Sequence, residues 1–126
     1  MKTRTLIPVL FVLLTLVAVI AACGSPAAAP TPIGDATAGK TAYDSTCVSC
    51  HGPDAKGLPN LGKDLTTSEF VIGASDLDLV AFVLQGRPTG DPANTTGVDM
   101  PPKGGNPALS EQDIKDIVAY LRTLQP

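Results

Sequence analysis

The run Cys47-Val48-Ser49-Cys50-His51 constrains this chain more than any other stretch. Two thiols three positions apart, followed at once by an imidazole, form the attachment pattern of a c-type haem. Both sulfurs add to the haem vinyl groups, and the adjoining histidine is held against the iron as its proximal ligand. A chain committed in this way has to build its core around a flat, rigid group. His51 is the single histidine of the sequence, so no second imidazole is present for the opposite face. The competing readings of Cys47 and Cys50 are a redox dithiol, half of a zinc site, or a disulfide. Zinc needs a second ligand pair, and no Cys or His follows His51. A redox dithiol expects a βαβ context, and no convincing run of alternating apolar residues is present. It stays open as the alternative.

The first 22 residues read as a secretory leader. Lys2 and Arg4 form a short basic start, and Leu6 to Ala22 is apolar except for Pro8 and Thr15. The stretch ends Ile20-Ala21-Ala22-Cys23, small residues directly before a cysteine, which resembles the cleavage site of a bacterial lipoprotein. Cys23 is then expected to carry a thioether-linked diacylglycerol as the mature N-terminus. Each buried methylene contributes about 0.8 kcal/mol, so two or three acyl chains anchor far more firmly than one. The alternative is an uncleaved N-terminal membrane helix, for which Pro8 and the marginal length are unfavourable. Either way the expected location is the extracytoplasmic face of a bacterial cell membrane.

Residues 23–33 continue as a small, Pro/Ala-rich spacer, which ten residues of polyproline geometry would extend to roughly 30 Å. The domain proper is expected over 34–126. Lys2 and Arg4 leave with the leader, so seven basic side chains face twelve acidic ones, a net charge of −5 against −3 for the whole chain. No basic stripe is present, which excludes nucleic acid as a partner.

Within the domain, Asp35 is an N-cap and the first helix is expected from Asp35 to Cys50, with Gly39, Tyr43 and Cys47 along one face. Residues 52–67 are punctuated by Gly and Pro and read as loop, with a short helical turn over Thr67–Ile72. Ser75 caps a helix from Asp76 to Gln85, whose apolar stripe is read as Leu77, Val80, Ala81 and Leu84. Residues 87–109 form a long loop, and loops of that length in compact domains are usually functional. Ser110 caps the last helix, with Asp113 in a capping-box position. Ile114, Ile117, Val118, Leu121 and Leu124 make its apolar face, and Glu111, Asp113, Lys115 and Asp116 are assigned to solvent. The fold class is therefore all-α, with about three main helices and long loops.

These segments together resemble a class I monohaem cytochrome c, from about Asp35 to Gln125. Gly34 through Gly52, with the CVSCH run, is similar to that family's first helix and attachment motif, and Asp116 through Leu124 to its last helix. The resemblance implies one covalent haem c and terminal helices that cross closely, with Gly39 and Tyr43 against Ile117, Tyr120 and Leu121. It implies that the Pro59 carbonyl, in Leu58-Pro59-Asn60-Leu61-Gly62, accepts a hydrogen bond from His51. It also implies an axial methionine on a late loop, which Val98-Asp99-Met100-Pro101-Pro102 matches. Counting agrees, because Met1 leaves with the leader and Met100 is then the single methionine. The lysines at 40, 56, 63 and 103 are sparse, without the dense basic ring of the mitochondrial type. The implied role is one-electron transfer between a quinol-oxidising complex and a terminal oxidase or reaction centre. A fixed haem subunit of a larger membrane-bound redox complex is the alternative, and a haem enzyme or gas sensor a distant third.

Overall fold

A computed structural model describes residues 32–126, so the expectations for the leader, Cys23 and most of the spacer lie outside the described residues. Five α-helices follow in order: α1 (Ala36–Thr46), α2 (Val48–His51), α3 (Glu69–Gly73), α4 (Asp76–Gln85) and α5 (Glu111–Thr123), with a 3-10 turn at Pro102–Gly105 before the last. Among the described residues there is no strand, only two isolated bridges, Leu58 with Gly62 and Arg87 with Met100. The all-α expectation holds, with α1, α4 and α5 as the three main helices.

Local chemistry explains where the helices start. The Asp35 carboxylate accepts from the Thr37 and Ala38 amides. Ser68 caps α3 and Ser75 caps α4 through the amides of Val71 and Asp78. Ser110 and Asp113 form a reciprocal capping box at the head of α5. Each side chain satisfies amides that the first turn leaves without a partner, worth typically about 1 kcal/mol per cap. The expected first helix is interrupted at Cys47, which keeps right-handed helical dihedrals (φ −83°, ψ −27°), so α1 and α2 are one path with a one-residue break. The short turn begins later than expected, at Glu69, because Ser68 takes the capping position.

The terminal helices α1 and α5 meet more extensively than any other pair. Gly39 is the reason. A Cβ built there would collide with the Asp116 carbonyl group and lie 2.9 Å from the Ile117 amide nitrogen, so only hydrogen lets the two backbones approach. Tyr43 and Tyr120 then pack with ring centroids 5.5 Å apart. Tyr43, Ile114, Ile117 and Val118 are the largest fully buried side chains.

Two helix faces differ from the sequence reading. Asp116, assigned to solvent, is only 9 % exposed. The close crossing encloses it, and its Oδ1 accepts from the Asp35 amide at 2.8 Å and the Gln112 side chain at 2.9 Å. On α4 the buried stripe is Leu79 and Val80, whereas Leu77 is 65 % exposed and Ala81 is also exposed. Leu77 through Leu84 is apolar at all but one position, so periodicity permits more than one register; contact with α5 selects the one observed. At the far end of α5, Arg122 fastens α3 and α4 to it. Its guanidinium donates to the Val71 carbonyl at 2.7 Å, the Ala74 carbonyl at 2.6 Å and the Asp76 carboxylate at 2.7 Å.

Helix propensity alone predicts that Gly39→Ala stabilises α1 by about 1 kcal/mol. The crossing predicts the opposite sign, a loss of about 1 to 3 kcal/mol from overpacking. Denaturant unfolding of the variant beside wild type distinguishes the two.

Candidate functional site

The helices leave a cavity of about 370 Å³, lined by Cys47, Cys50, His51 and Met100 together with apolar side chains from α1, α3, α4 and α5. The sequence-predicted residues, 53 positions apart at their extremes, thus converge on one space. That volume lies in the range of small-molecule and cofactor sites. Leu79, Val118 and Leu121 form part of the floor, and Phe70, 45 % exposed, stands at the edge.

Cys47 and Cys50 are free thiols on successive turns of the α1–α2 path. Burial, chiefly, pushes the Cys47 thiol up to about 11, with the neighbouring Cys50 adding to the shift. An attacking dithiol of the thioredoxin kind needs the opposite, a thiol lowered toward neutrality by positive surroundings. The arrangement therefore does not favour the redox-dithiol alternative.

His51 closes α2, and its Nδ1 lies 2.8 Å from the Lys63 carbonyl oxygen. A carbonyl only accepts, so Nδ1 is the donor in this contact, and Nε2 is the ring nitrogen left for a metal. The expected acceptor, the Pro59 carbonyl, is not the partner. The Leu58–Gly62 bridge leaves Pro59 and Asn60 exposed at the tip of the turn, and Pro59 does not line the cavity, whereas Leu61 does. The turn after Lys63 is tightly built: the Asp64 carboxylate accepts from Thr66 N and Oγ1, both at 2.7 Å, and from Thr67 N at 3.2 Å and Oγ1 at 3.0 Å. Leu65 N adds a bond to the Ala55 carbonyl at 2.7 Å. A second anchor holds the other end of the motif, where Tyr43 Oη donates to the Gly52 carbonyl at 2.7 Å. Burial is the main reason the Tyr43 phenol is held well above its usual range.

Met100 reaches the same cavity from the loop that follows α4. Its amide donates to the Arg87 carbonyl at 2.9 Å, and the Arg87 amide donates to the Met100 carbonyl at 2.7 Å. Gly86 precedes this pair with φ 74°, and any Cβ there would strike the Met100 carbonyl. The loop between, residues 88–99, is organised around Asn94. Its Nδ2 donates to the Val98 carbonyl at 2.8 Å and the Pro88 carbonyl at 3.2 Å, and its Oδ1 accepts from the Gly97 and Thr96 amides at 3.0 and 3.2 Å. Ala93, Asn94 and Val98 face the cavity.

Sequence reasoning missed Lys63, Asp64, Arg87 and Asn94. Asp64 had a local signal, since an Asp followed at two and three positions by Thr suits an Asx turn. Arg87 had none, because its partners come from three separate segments.

The comparisons with known proteins agree with this geometry. The family model described as Cytochrome c matches residues 36–125. Cytochrome c-554(547) of Halothiobacillus neapolitanus is 39% identical over 101 residues, covering 73% of this chain and 99% of that protein. Cytochrome c-555 of Chlorobaculum thiosulfatiphilum is 33% identical over 87 residues, 69% of this chain and 93% of its own. The Cbb3-type cytochrome c oxidase subunit CcoP of Rhodobacter capsulatus is 34% identical over 90 residues, 71% of this chain but only 29% of the subunit. The chain therefore spans under a third of the length of the oxidase subunits it matches. No solved structure matches.

The Asp64 turn carries a pH signature. Hydrogen bonds from Thr66 and then Thr67 hold its carboxyl below the usual carboxylate value. A depressed folded value stabilises the protein above the unfolded value of about 4, and that contribution is lost as pH falls through the folded one. Asp64→Asn is expected to be less stable than wild type at about pH 7, with the difference shrinking at about pH 3. Denaturant titrations of both proteins at the two pH values measure the difference.

Proposed function

This chain belongs to the cytochrome c family; it is an electron carrier with covalently bound haem c as its cofactor, and we propose that it is a membrane-anchored one whose iron is held between His51 and Met100. The observation that carries this reading is the convergence of Cys47, Cys50, His51 and Met100 on a single, largely apolar cavity. The residues present fit the group. Two thiols offer the covalent links, an imidazole offers Nε2 while the Lys63 carbonyl engages its other nitrogen, and the Met100 thioether lines the same cavity. Haem c supplies reversible one-electron chemistry at its iron.

The protein's part is to hold rather than to react. His51 is kept in one tautomer by the Lys63 carbonyl, which also raises its basicity as a ligand. Met100 as sixth ligand raises the potential relative to a second histidine. Held by both His51 and Met100, the iron would be left with no position for a substrate, and the chain would keep the same ligands in both redox states.

The anchor rests on the sequence alone: Cys23 after Ala21-Ala22, with a Pro/Ala-rich spacer before the domain. Among the described residues, no helix is long and apolar enough to cross a membrane. The proposed partners are a quinol-oxidising complex as donor and a terminal oxidase or reaction centre as acceptor. The likeness to CcoP favours a second reading, in which this domain is a fixed haem-bearing subunit of a larger respiratory complex. Purification in mild detergent separates them: a free carrier elutes alone, a subunit with its complex.

Two variants test the assignment. Met100→Ala is expected to lose the methionine–iron charge-transfer band and to lower the reduction potential by on the order of 0.1 V; an unchanged spectrum and potential remove Met100 as a ligand. Cys23→Ser is expected to leave the membrane fraction while keeping its haem spectrum, as fractionation with haem staining reads directly.

A further inference from the structure

Arg87 is placed where four separate parts of the domain meet, and the electron-carrier reading gives it no role. Its backbone pairs with Met100 in both directions, at 2.7 and 2.9 Å. Its guanidinium lies 4.8 Å from the Phe70 ring centroid and 4.6 Å from that of Phe82, and the two rings meet each other edge to face at 5.0 Å. Phe70 belongs to α3 and Phe82 to α4, so the cation joins two helices. Its Nε stands 3.4 Å from the Asp91 carboxylate on the loop 88–99. That contact is an ion pair without hydrogen-bond geometry, since Nε is buried and makes no hydrogen bond.

We propose that Arg87 is a positioning residue that keeps Met100 closed over the cavity. The inference rests on Met100 being the sixth ligand. A guanidinium set against two neighbouring aromatic rings is attracted to both and is poorly replaced by lysine, whose compact ammonium does not stack. Fixing the side chain fixes the Arg87 backbone, and the paired hydrogen bonds transmit that position to Met100. Asp91 extends the same hold into the loop that Asn94 organises internally. The loop and Met100 therefore open together or not at all.

The proposal has a consequence that overall stability does not share. An added ligand such as imidazole reaches the iron only in the open form, so its apparent affinity scales with the open fraction. Removing the cation raises that fraction. Arg87→Gln holoprotein is expected to bind imidazole in the ferric state about tenfold more tightly than wild type, equivalent to about 1.4 kcal/mol. Arg87→Lys should fall between the two, keeping charge without the planar stack. Asp91→Asn leaves the cation–ring contacts and the Arg87–Met100 backbone pair in place, and should shift affinity in the same direction by less.

Imidazole titration, the methionine–iron band and the melting temperature are measured on each holoprotein. An ordered series, Gln above Lys above wild type, with the band weakened in the same order, supports the positioning role. Imidazole affinity within about twofold of wild type for Arg87→Gln, even with a lowered melting temperature, reduces Arg87 to a packing residue and overturns the proposal. Should Arg87→Gln not mature, Asp91→Asn decides alone: unchanged imidazole affinity overturns it. Met100→Ala is run beside them. If that variant keeps the wild-type band, the ligand assignment itself has failed, which is a separate result from an unresponsive Arg87.

Discussion

The contact of Gly39 with the Asp116–Ile117 backbone is the constraint on which the rest of the domain depends. It brings α1 against α5 closely enough for Tyr43 to lie against Tyr120 and to reach the Gly52 carbonyl. Because the attachment motif continues directly from α1, fixing that helix fixes Cys47, Cys50 and His51 relative to α5. The same helix supplies Ile117, Val118 and Leu121 to the cavity wall. One missing methyl group thus connects the packing of the terminal helices to the placement of Cys47, Cys50 and His51. The buried Asp116 belongs to this crossing: it accepts the Asp35 amide and ties the start of α1 to the middle of its partner.

The cavity is then held from two sides by different means. On the histidine side, short turns do the work, with the Lys63 carbonyl orienting the ring and Asp64 locking the turn behind it. On the methionine side, a twelve-residue loop is fastened at its base by the Arg87–Met100 pair and organised inside by Asn94. The asymmetry suits an electron carrier. A side chain at the end of the helix that also carries Cys47 and Cys50 needs only its ring rotation fixed, whereas Met100, on a loop, needs its backbone held.

Much of this was legible in the sequence, and the exceptions have a common cause. CVSCH, the lone histidine and Met100 stand out in the sequence because the covalent and ligand chemistry proposed for them demands particular residue types. The helix starts at Asp35, Ser75 and Ser110 were legible because capping is local. What the sequence could not place depended on contacts distant along the chain. The buried face of α4 is ambiguous from an apolar run and is decided by α5. Asp116 reads as a surface residue until Gly39 brings another backbone over it. The acceptor for His51 is Lys63 rather than Pro59 because of how the intervening turn folds, and Arg87 takes its meaning from Phe70, Phe82 and Asp91 together.

The most direct test of the central claim is the absorption spectrum of the domain matured with covalent haem, recorded oxidised, reduced, and reduced under carbon monoxide. Ligation by His51 and Met100 predicts a low-spin reduced spectrum, a methionine–iron charge-transfer band in the oxidised protein, and no response to carbon monoxide. A high-spin or carbon monoxide-reactive spectrum would contradict it by showing an open iron face, and failure to attach haem at all would return Cys47 and Cys50 to thiol chemistry.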